Sequence, residues 1–238
     1  MTDSTPTLYL FPVPMGDSPV EHVLPARNLA LLGTLRHFVV ENVRSARRFL
    51  RAACPQLVID ELEFTELSEH TPVSEVEAML EPMRQGHSIG VVSEAGCPAV
   101  ADPGSDLVAA AQRHGFRVEP LVGPSSIILA LMGSGFNGQN FAFRGYLPIE
   151  QKQRTAAIRR MEQEAGRNRQ TQIFIETPYR NNRLIAELAA TLAPDTLLCV
   201  ASDITCSRQS IITLPATKWR SRQYDYAKIP TIFLIYRN

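Results

Sequence analysis

Three loops rich in glycine, proline and small residues follow strand-like segments, and they are the stretches best suited to bind a ligand. The longest, residues 93–104, reads SEAGCPAVADPG and follows the apolar run 88–93. The other two are residues 123–126 (GPSS) and residues 14–17 (PMGD), the latter after the apolar run 7–13. Glycine and alanine let a ligand approach the main chain closely. Ligands of open α/β sheets bind outside the carboxyl ends of strands, so the pattern predicts a binding site there.

Each loop taken alone is also compatible with an ordinary tight turn, whereas three such loops after three strands favour a ligand site. Ser125 and Ser126 stand at a predicted helix start, where free N–H groups suit a carboxylate or another acceptor. The motifs GxxxxGK[ST] and HExxH are absent, so several nucleotide and zinc classes are not supported. The form GxGxxG occurs once, at residues 133–138 (GSGFNG), but it follows a predicted helix rather than a strand, so a Rossmann dinucleotide site is not supported. The five histidines show no metal-ligand spacing, and we expect no metal.

Strand-like and helix-like segments alternate along the chain, which predicts an α/β fold. We expect a mostly parallel sheet in a first domain, residues 1–120, and a mixed sheet in a second domain, residues 121–238. Two local predictions concern the first domain. Residues 23–35 have helical spacing with Pro25 in an early turn, and Ser74 followed by Glu77 has the form of a capping box. The predicted strands are 7–13, 37–40, 88–93, 116–121, 141–146, 171–175, 196–201, 210–214 and 231–236.

Charge is balanced overall but unevenly distributed. The chain has 24 basic and 24 acidic residues among 238, which excludes a uniformly basic nucleic-acid-binding protein. Residues 55–82 contain eight acidic residues and no lysine or arginine, while residues 36–51 contain five arginines and only one acid, Glu41. Such runs are either solvated helix faces or a basic surface for a phosphate-bearing partner.

The remaining composition favours a cytoplasmic protein without a membrane segment. No apolar run reaches the roughly 18–20 residues that span a bilayer, and residues 1–16 lack the features of a secretory signal. The four cysteines are scattered without a CxxC pair, which is typical of free thiols in a reducing compartment.

Five ordered motifs together resemble the tetrapyrrole methylase superfamily of S-adenosylmethionine-dependent methyltransferases. They are LYLFPVPMGD, VVSEAGCPAVADPGSDLV, VGPSS, FAFRGYLP and FIETPYR, and VENVRSARRFL lies between the first two. Within the superfamily the sequence is most similar to the small-subunit ribosomal RNA 2′-O-methyltransferase I group. The likeness covers almost the whole chain and weakens after about residue 200.

The resemblance implies two α/β domains with S-adenosylmethionine in the cleft between them, held largely by backbone contacts, and a homodimer. Carried over position by position, the cofactor-binding residues would be Pro14, Met15, Gly16, Ala95, Gly96, Val100, Ala101, Asp102, Ser125, Ser126, Glu176 and Ile204. Several have plainer alternatives: Val100 and Ile204 as core residues, Asp102 in an Asx turn, and Glu176 as a cap for the following helix.

The departures from the family pattern fall on the substrate side. The nucleic-acid group usually has Ala-Glu-Asp-Thr-Arg where residues 40–44 read Val-Glu-Asn-Val-Arg, and Glu-Leu-Thr-Lys where residues 203–206 read Asp-Ile-Thr-Cys. Cys97 replaces the usual threonine of the cofactor loop. These differences keep methyl transfer as the expected chemistry and leave the acceptor open.

A ribose hydroxyl acceptor needs its proton removed or polarised, and Glu41 is the candidate base, with Asn42 and Arg44 orienting the substrate. The alternative for Glu41 is an ion pair with arginines on a helix face. Cys97 as a nucleophile is a weaker hypothesis, because no histidine stands in a supporting motif. Three functions compete: a methyltransferase acting on ribosomal RNA or the small ribosomal subunit, a tetrapyrrole or other small-molecule methyltransferase, and a non-catalytic cofactor-binding paralogue.

Overall fold

The computed structural model describes residues 5–237. Packing separates the chain into two units, Met1–Ser125 (unit 1) and Ser126–Asn238 (unit 2).

Unit 1 contains a five-stranded sheet in the order β3-β2-β4-β1-β5, and every neighbouring pair of strands is parallel. This confirms the parallel sheet predicted for the first half. The strand in the middle is buried along its whole length, as expected for a parallel sheet covered on both faces. The strands are β1 (Thr7–Phe11), β2 (His37–Val40), β3 (Glu63–Glu66), β4 (Ile89–Val92) and β5 (Arg117–Pro120).

Helices cover both faces of this sheet. Successive residues of a strand point to opposite faces, so Phe38 and Val40 enter one apolar core and Val39 enters the other. The helices of unit 1 are α1 (Val20–Val23), α2 (Ala26–Leu32), α3 (Val43–Ala53), α4 (Val73–Val76), α5 (Glu81–Arg84) and α6 (Ser105–Arg113), with 3₁₀ turns at Ile59–Glu61 and Glu77–Leu80.

Three details of unit 1 differ from the sequence predictions. The helix expected over 23–35 is shorter and begins only at Ala26, because Leu24 is extended before Pro25, and a proline disfavours helical geometry in the residue before it. Val23 instead ends the separate helix α1. The prediction of a capping box is wrong, since Ser74 lies inside α4 and Pro72 occupies the N-cap position. Strand β3 was not predicted; its charged residues are tolerated because it lies at the edge of the sheet.

Unit 2 contains a mixed five-stranded sheet in the order β6-β7-β10-β8-β9, which confirms the second prediction of sheet type. Strands β6 and β7 are parallel, and the other three neighbouring pairs are antiparallel. The strands are β6 (Phe141–Tyr146), β7 (Thr171–Ile175), β8 (Leu197–Ser202), β9 (Ser210–Pro215) and β10 (Thr231–Tyr236). The helices are α7 (Ser126–Ser134), α8 (Gln151–Asn168), α9 (Asn181–Thr191) and α10 (Ala216–Ser221), with a 3₁₀ turn at Pro178–Arg180.

The core of unit 2 is apolar but includes a nearly buried ion pair. Arg154 of α8 lies 2.7 Å from Glu187 of α9 and also donates to the carbonyl oxygens of Pro148 and Ile149. These bonds join α8, α9 and the segment that follows β6. Among residues 5–237, no helix is long and apolar enough to cross a membrane.

Candidate active site

The loops singled out in the sequence leave the unit 1 sheet at the end where its parallel strands terminate. Because all five strands run in the same direction, the segments that follow β1, β2, β4 and β5 leave from the same side. Strand β4 pairs with β1 on one side and with β2 on the other, so the loop 93–104 lies between the segments that begin at Pro12 and at Glu41. The topology therefore places three predicted ligand loops and the Glu41 motif together.

Hydrogen bonds and close packing join these loops. Val13 N donates to Gly96 O at 2.8 Å, Gly96 N donates to Val13 O at 3.2 Å, and the Cys97 thiol donates to Pro124 O at 3.3 Å. Gly123 packs so tightly that a Cβ atom added there would lie 2.3 Å from Pro12 Cβ. The segments after β1, β4 and β5 thus form one connected surface rather than separate turns.

The main chain of the loop 93–104 is unusually strained. Gly96 and Gly104 have φ values of 72° and 128°, and Ala99 and Ala101 have φ values of 64° and 62°. A non-glycine residue in the left-handed region costs roughly 1–2 kcal/mol, and such residues cluster at ligand-binding sites. At these four positions the main chain turns sharply and the side chains are small or absent.

Three carboxylates, one from the segment after β2 and two from the loop 93–104, lie at this same end of the sheet. Glu41 Oε2 accepts a hydrogen bond from Glu94 N at 3.0 Å, and Glu94 Oε1 accepts one from Ser45 Oγ at 2.8 Å. Burial raises the pKa of Asp102 to about 6, and the charges of Glu41 and Glu94 add to the increase, while a hydrogen bond from Ser93 opposes it. The surface around these three carboxylates is therefore locally negative, which suits a ligand that carries a positive charge.

The three residues expected on the substrate side have distinct environments. Glu41 makes no ion pair within residues 5–237, so the alternative of an ion pair with helix arginines is wrong. Its carboxylate instead accepts a hydrogen bond from the main-chain N–H of Glu94. Asn42 is the N-cap of α3, because its Oδ1 accepts from Ser45 N at 3.0 Å. Arg44 lies exposed in the first turn of α3.

The cofactor-binding residues predicted in unit 1 all lie on the connected loops. Val100 is 48% exposed, so the alternative of a core residue is wrong for it. Gly96 is buried, which is consistent with its role in joining two loops. The others are exposed or half-buried: Pro14, Met15, Gly16, Ala95, Ala101, Asp102 and Ser125.

The three residues predicted from the second half lie in unit 2. Ser126 is the first residue of α7. Glu176 follows β7 and Ile204 follows β8. Both lie at the end of the unit 2 sheet at which the antiparallel strand β10 begins. Ile204 is buried, between Asp203 and Thr205, which have φ values of 52° and 72°. Glu176 Oε1 accepts from Thr177 N and from Arg180, both at 2.6 Å, so this carboxylate also stabilises the 3₁₀ turn after β7.

Two other chemistries find little support at this site. Burial, followed by the charge of Asp102, raises the pKa of the Cys97 thiol, which keeps that sulfur protonated and poorly nucleophilic. Within residues 5–237 there is no group of three or more His, Cys, Asp or Glu side chains that could hold a metal ion.

The sequence predictions missed Glu94 and Ser45. Glu94 was visible only as part of a glycine-rich loop, and its partner Glu41 is 53 residues away in the chain. The pairing of β2 with β4 brings them together, and this strand order cannot be read from local patterns.

A family model described as Tetrapyrrole (Corrin/Porphyrin) Methylases matches residues 7–218. A protein from Vibrio cholerae named ribosomal RNA small subunit methyltransferase I is 27% identical over 237 residues, covering 98% of this chain and 78% of that protein. Proteins of the same name from Xylella fastidiosa and Micromonospora olivasterospora are 31% and 34% identical, with 70% and 56% of their lengths covered.

Solved structures show the same fold at low sequence identity. The crystal structure of the methyltransferase CobJ has a TM-score of 0.63 and 20% identity, covering 97% of this chain and 93% of that one. A conserved hypothetical protein from Aeropyrum pernix K1 has a TM-score of 0.68 and 15% identity, covering 98% and 86%. The chain belongs to the tetrapyrrole methylases and is a methyltransferase.

Proposed function

We propose that this protein transfers a methyl group from S-adenosylmethionine to a ribose 2′-hydroxyl of small-subunit ribosomal RNA. The observation that carries the proposal is the connected, strained surface formed by the loops after β1, β4 and β5. The names of the relatives from Vibrio and Xylella support ribosomal RNA as the acceptor. The proposal includes a cytoplasmic homodimer with functional domains at residues 1–120 and 121–238.

The residues present fit this cofactor. S-adenosylmethionine, when bound, supplies an activated methyl group on a positively charged sulfur. The locally negative surface around Asp102, Glu41 and Glu94 suits that charge. The small side chains of the loop 93–104 let a nucleoside approach the main chain closely. The proposal assigns the following residues to the cofactor: Pro14, Met15, Gly16, Ala95, Gly96, Val100, Ala101, Asp102, Ser125, Ser126, Glu176 and Ile204.

The residues of this chain then supply positioning and proton removal. Glu41 Oε2 is held by Glu94 N, which fixes the carboxylate and leaves Oε1 to accept the proton of the ribose hydroxyl. Asn42 Nδ2 and the Arg44 guanidinium orient the substrate, since Asn42 Oδ1 is already used as the helix cap.

A tetrapyrrole or other small-molecule acceptor is the second candidate. It is favoured by the altered motifs at residues 40–44 and 203–206, and by the fold shared with the methyltransferase CobJ. A non-catalytic cofactor-binding paralogue is the third. The first two candidates differ in what they methylate and the third methylates nothing, so methyl transfer measured together with cofactor binding separates them.

The assay is transfer of labelled methyl groups to purified small ribosomal subunits and, in a separate reaction, to a porphyrin precursor, with calorimetry of S-adenosylmethionine binding in parallel. We expect binding and labelled ribose in the RNA. Glu41→Gln should reduce kcat by about 10²–10⁴-fold, because the group that removes the hydroxyl proton is lost. Glu69→Gln, at an exposed site, is the control. Label on a porphyrin precursor alone would refute the RNA proposal, and no binding at millimolar cofactor would refute both enzymatic candidates.

A further inference from the structure

One face of helix α3 carries a row of exposed arginines. Arg44, Arg48 and Arg51 are spaced by four and three residues, which places them on the same side of an α-helix. The buried residues Ala46 and Leu50 lie two positions further along, on the opposite side, where they pack in the core. The amphipathic pattern of α3 therefore directs this arginine row to solvent.

These three arginines make no ion pair within residues 5–237, although carboxylates are abundant nearby. The other two arginines of the segment are paired: Arg36 lies 3.7 Å from Glu61, and Arg47 lies 2.8 Å from Asp60. Like charges at positions i and i+4 destabilise a helix, so the row is unfavourable on its own. An anionic partner would remove that repulsion.

The row borders a surface depression of about 600 Å³, lined by Asn42, Val43, Arg44, Arg47, Arg48, Arg51 and Glu66. Glu66 is its one acidic lining residue, and its Oε1 accepts from Val43 N at 3.2 Å, at the N-terminus of α3. A carboxylate of the protein thus already lies where a helix N-terminus favours an anion. The shape and charge of the depression suit an anionic ligand larger than a single carboxylate.

We propose that the row of Arg44, Arg48 and Arg51 binds the phosphate backbone of the RNA substrate. This inference rests on the proposed function, because it names the substrate contact of the same site. Guanidinium groups bind phosphate with two parallel hydrogen bonds, which explains arginine rather than lysine at these positions. Helix α3 begins directly after Glu41 and Asn42, so phosphates bound along it hold the RNA next to the proposed base.

The test measures the salt dependence of binding to small-subunit ribosomal RNA for wild type, for Arg48→Gln/Arg51→Gln and for the control Arg159→Gln/Arg167→Gln. The control arginines are exposed on α8 and have no ion pair within residues 5–237. Their substitution removes two positive charges, as the test pair does. Each phosphate contact on single-stranded RNA contributes about 0.7 to the slope of log K against log salt. We expect the test pair to lower the magnitude of this slope by about 1.4 relative to the wild type. Between about 50 and 200 mM salt, the loss of RNA affinity should then be about sevenfold smaller in the variant than in the wild type.

Two further readouts complete the test. The test pair should raise KM for RNA without changing kcat or the affinity for S-adenosylmethionine, and Glu66→Gln should tighten RNA binding by removing the acidic residue of the depression. Equal slopes in the test and control pairs, with RNA still methylated, would overturn this inference alone. A wild-type protein that binds S-adenosylmethionine but neither binds nor methylates the RNA would overturn the proposed function as well.

Discussion

Replacing Gly123 by alanine tests whether the loops after β1 and β5 are joined as closely as the structure indicates. The new Cβ atom would lie 2.3 Å from Pro12 Cβ, 2.6 Å from Pro12 Cγ and 3.2 Å from Leu24 Cδ2. Carbon atoms pack best at about 3.5–4.0 Å, so Pro12 must move by roughly 1 Å. That movement would also disturb the 2.8 Å hydrogen bond from Val13 N to Gly96 O.

Overpacking of this kind costs about 1–3 kcal/mol, which lowers the midpoint of thermal unfolding by about 3–9 °C in a chain of this size. S-adenosylmethionine affinity, measured by calorimetry, should fall in the same variant. The matched control is Gly33→Ala, whose Cβ would meet its nearest neighbours at an ordinary 3.5 Å. An unfolding midpoint for Gly123→Ala equal to that of the control would refute the reasoning.

Two further predictions concern buried charge. Asp102→Asn removes a carboxyl whose pKa rises from 3.8 to about 6, chiefly through burial and then through Glu41. Between pH 3.8 and about 6 the folded wild type keeps this proton while the unfolded chain has lost it, so the stability of the wild type falls as pH rises through that range. The midpoint of thermal unfolding of the variant should lack this part of the fall. Parallel plots of that midpoint against pH for the two proteins would contradict the prediction. Glu187→Ala leaves the Arg154 guanidinium, 7% exposed, without its carboxylate and should lower the free energy of unfolding in urea by about 3–5 kcal/mol. A loss below about 1 kcal/mol would mean that the pair behaves like a surface ion pair.

Much of the fold could be predicted because most strands are compact apolar runs bounded by glycine or proline. The run 88–93 is such a case, and β4 occupies Ile89–Val92. Strand β3 could not be predicted in the same way. It lies at the edge of the sheet, so Glu63 and Glu66 stay in solvent, and no alternation of apolar and polar residues marks them as a strand. Ser74 failed as a capping residue because Pro72, just before it, already sets the entry into α4.

The candidate site could be predicted in part. The loops were recognisable from local composition, because glycine, alanine and proline have the same conformational effects wherever they occur. The hydrogen bond between Glu41 and Glu94 depends on β2 lying beside β4, and the raised pKa of Asp102 depends on burial by distant segments. Neither is encoded within a window of neighbouring residues.

The strand order of unit 1 also determines when its N-terminal strand can be hydrogen-bonded during synthesis. Among the strands of the described residues 5–237, β1 pairs with β4 and β5 alone, and these begin at Ile89 and Arg117. At about 5–20 residues per second, the ribosome needs roughly 4–16 s after Phe11 to deliver β4. Through that interval the apolar segment Thr7–Phe11 has no partner strand, so the nascent chain must remain unaggregated until its central strand emerges.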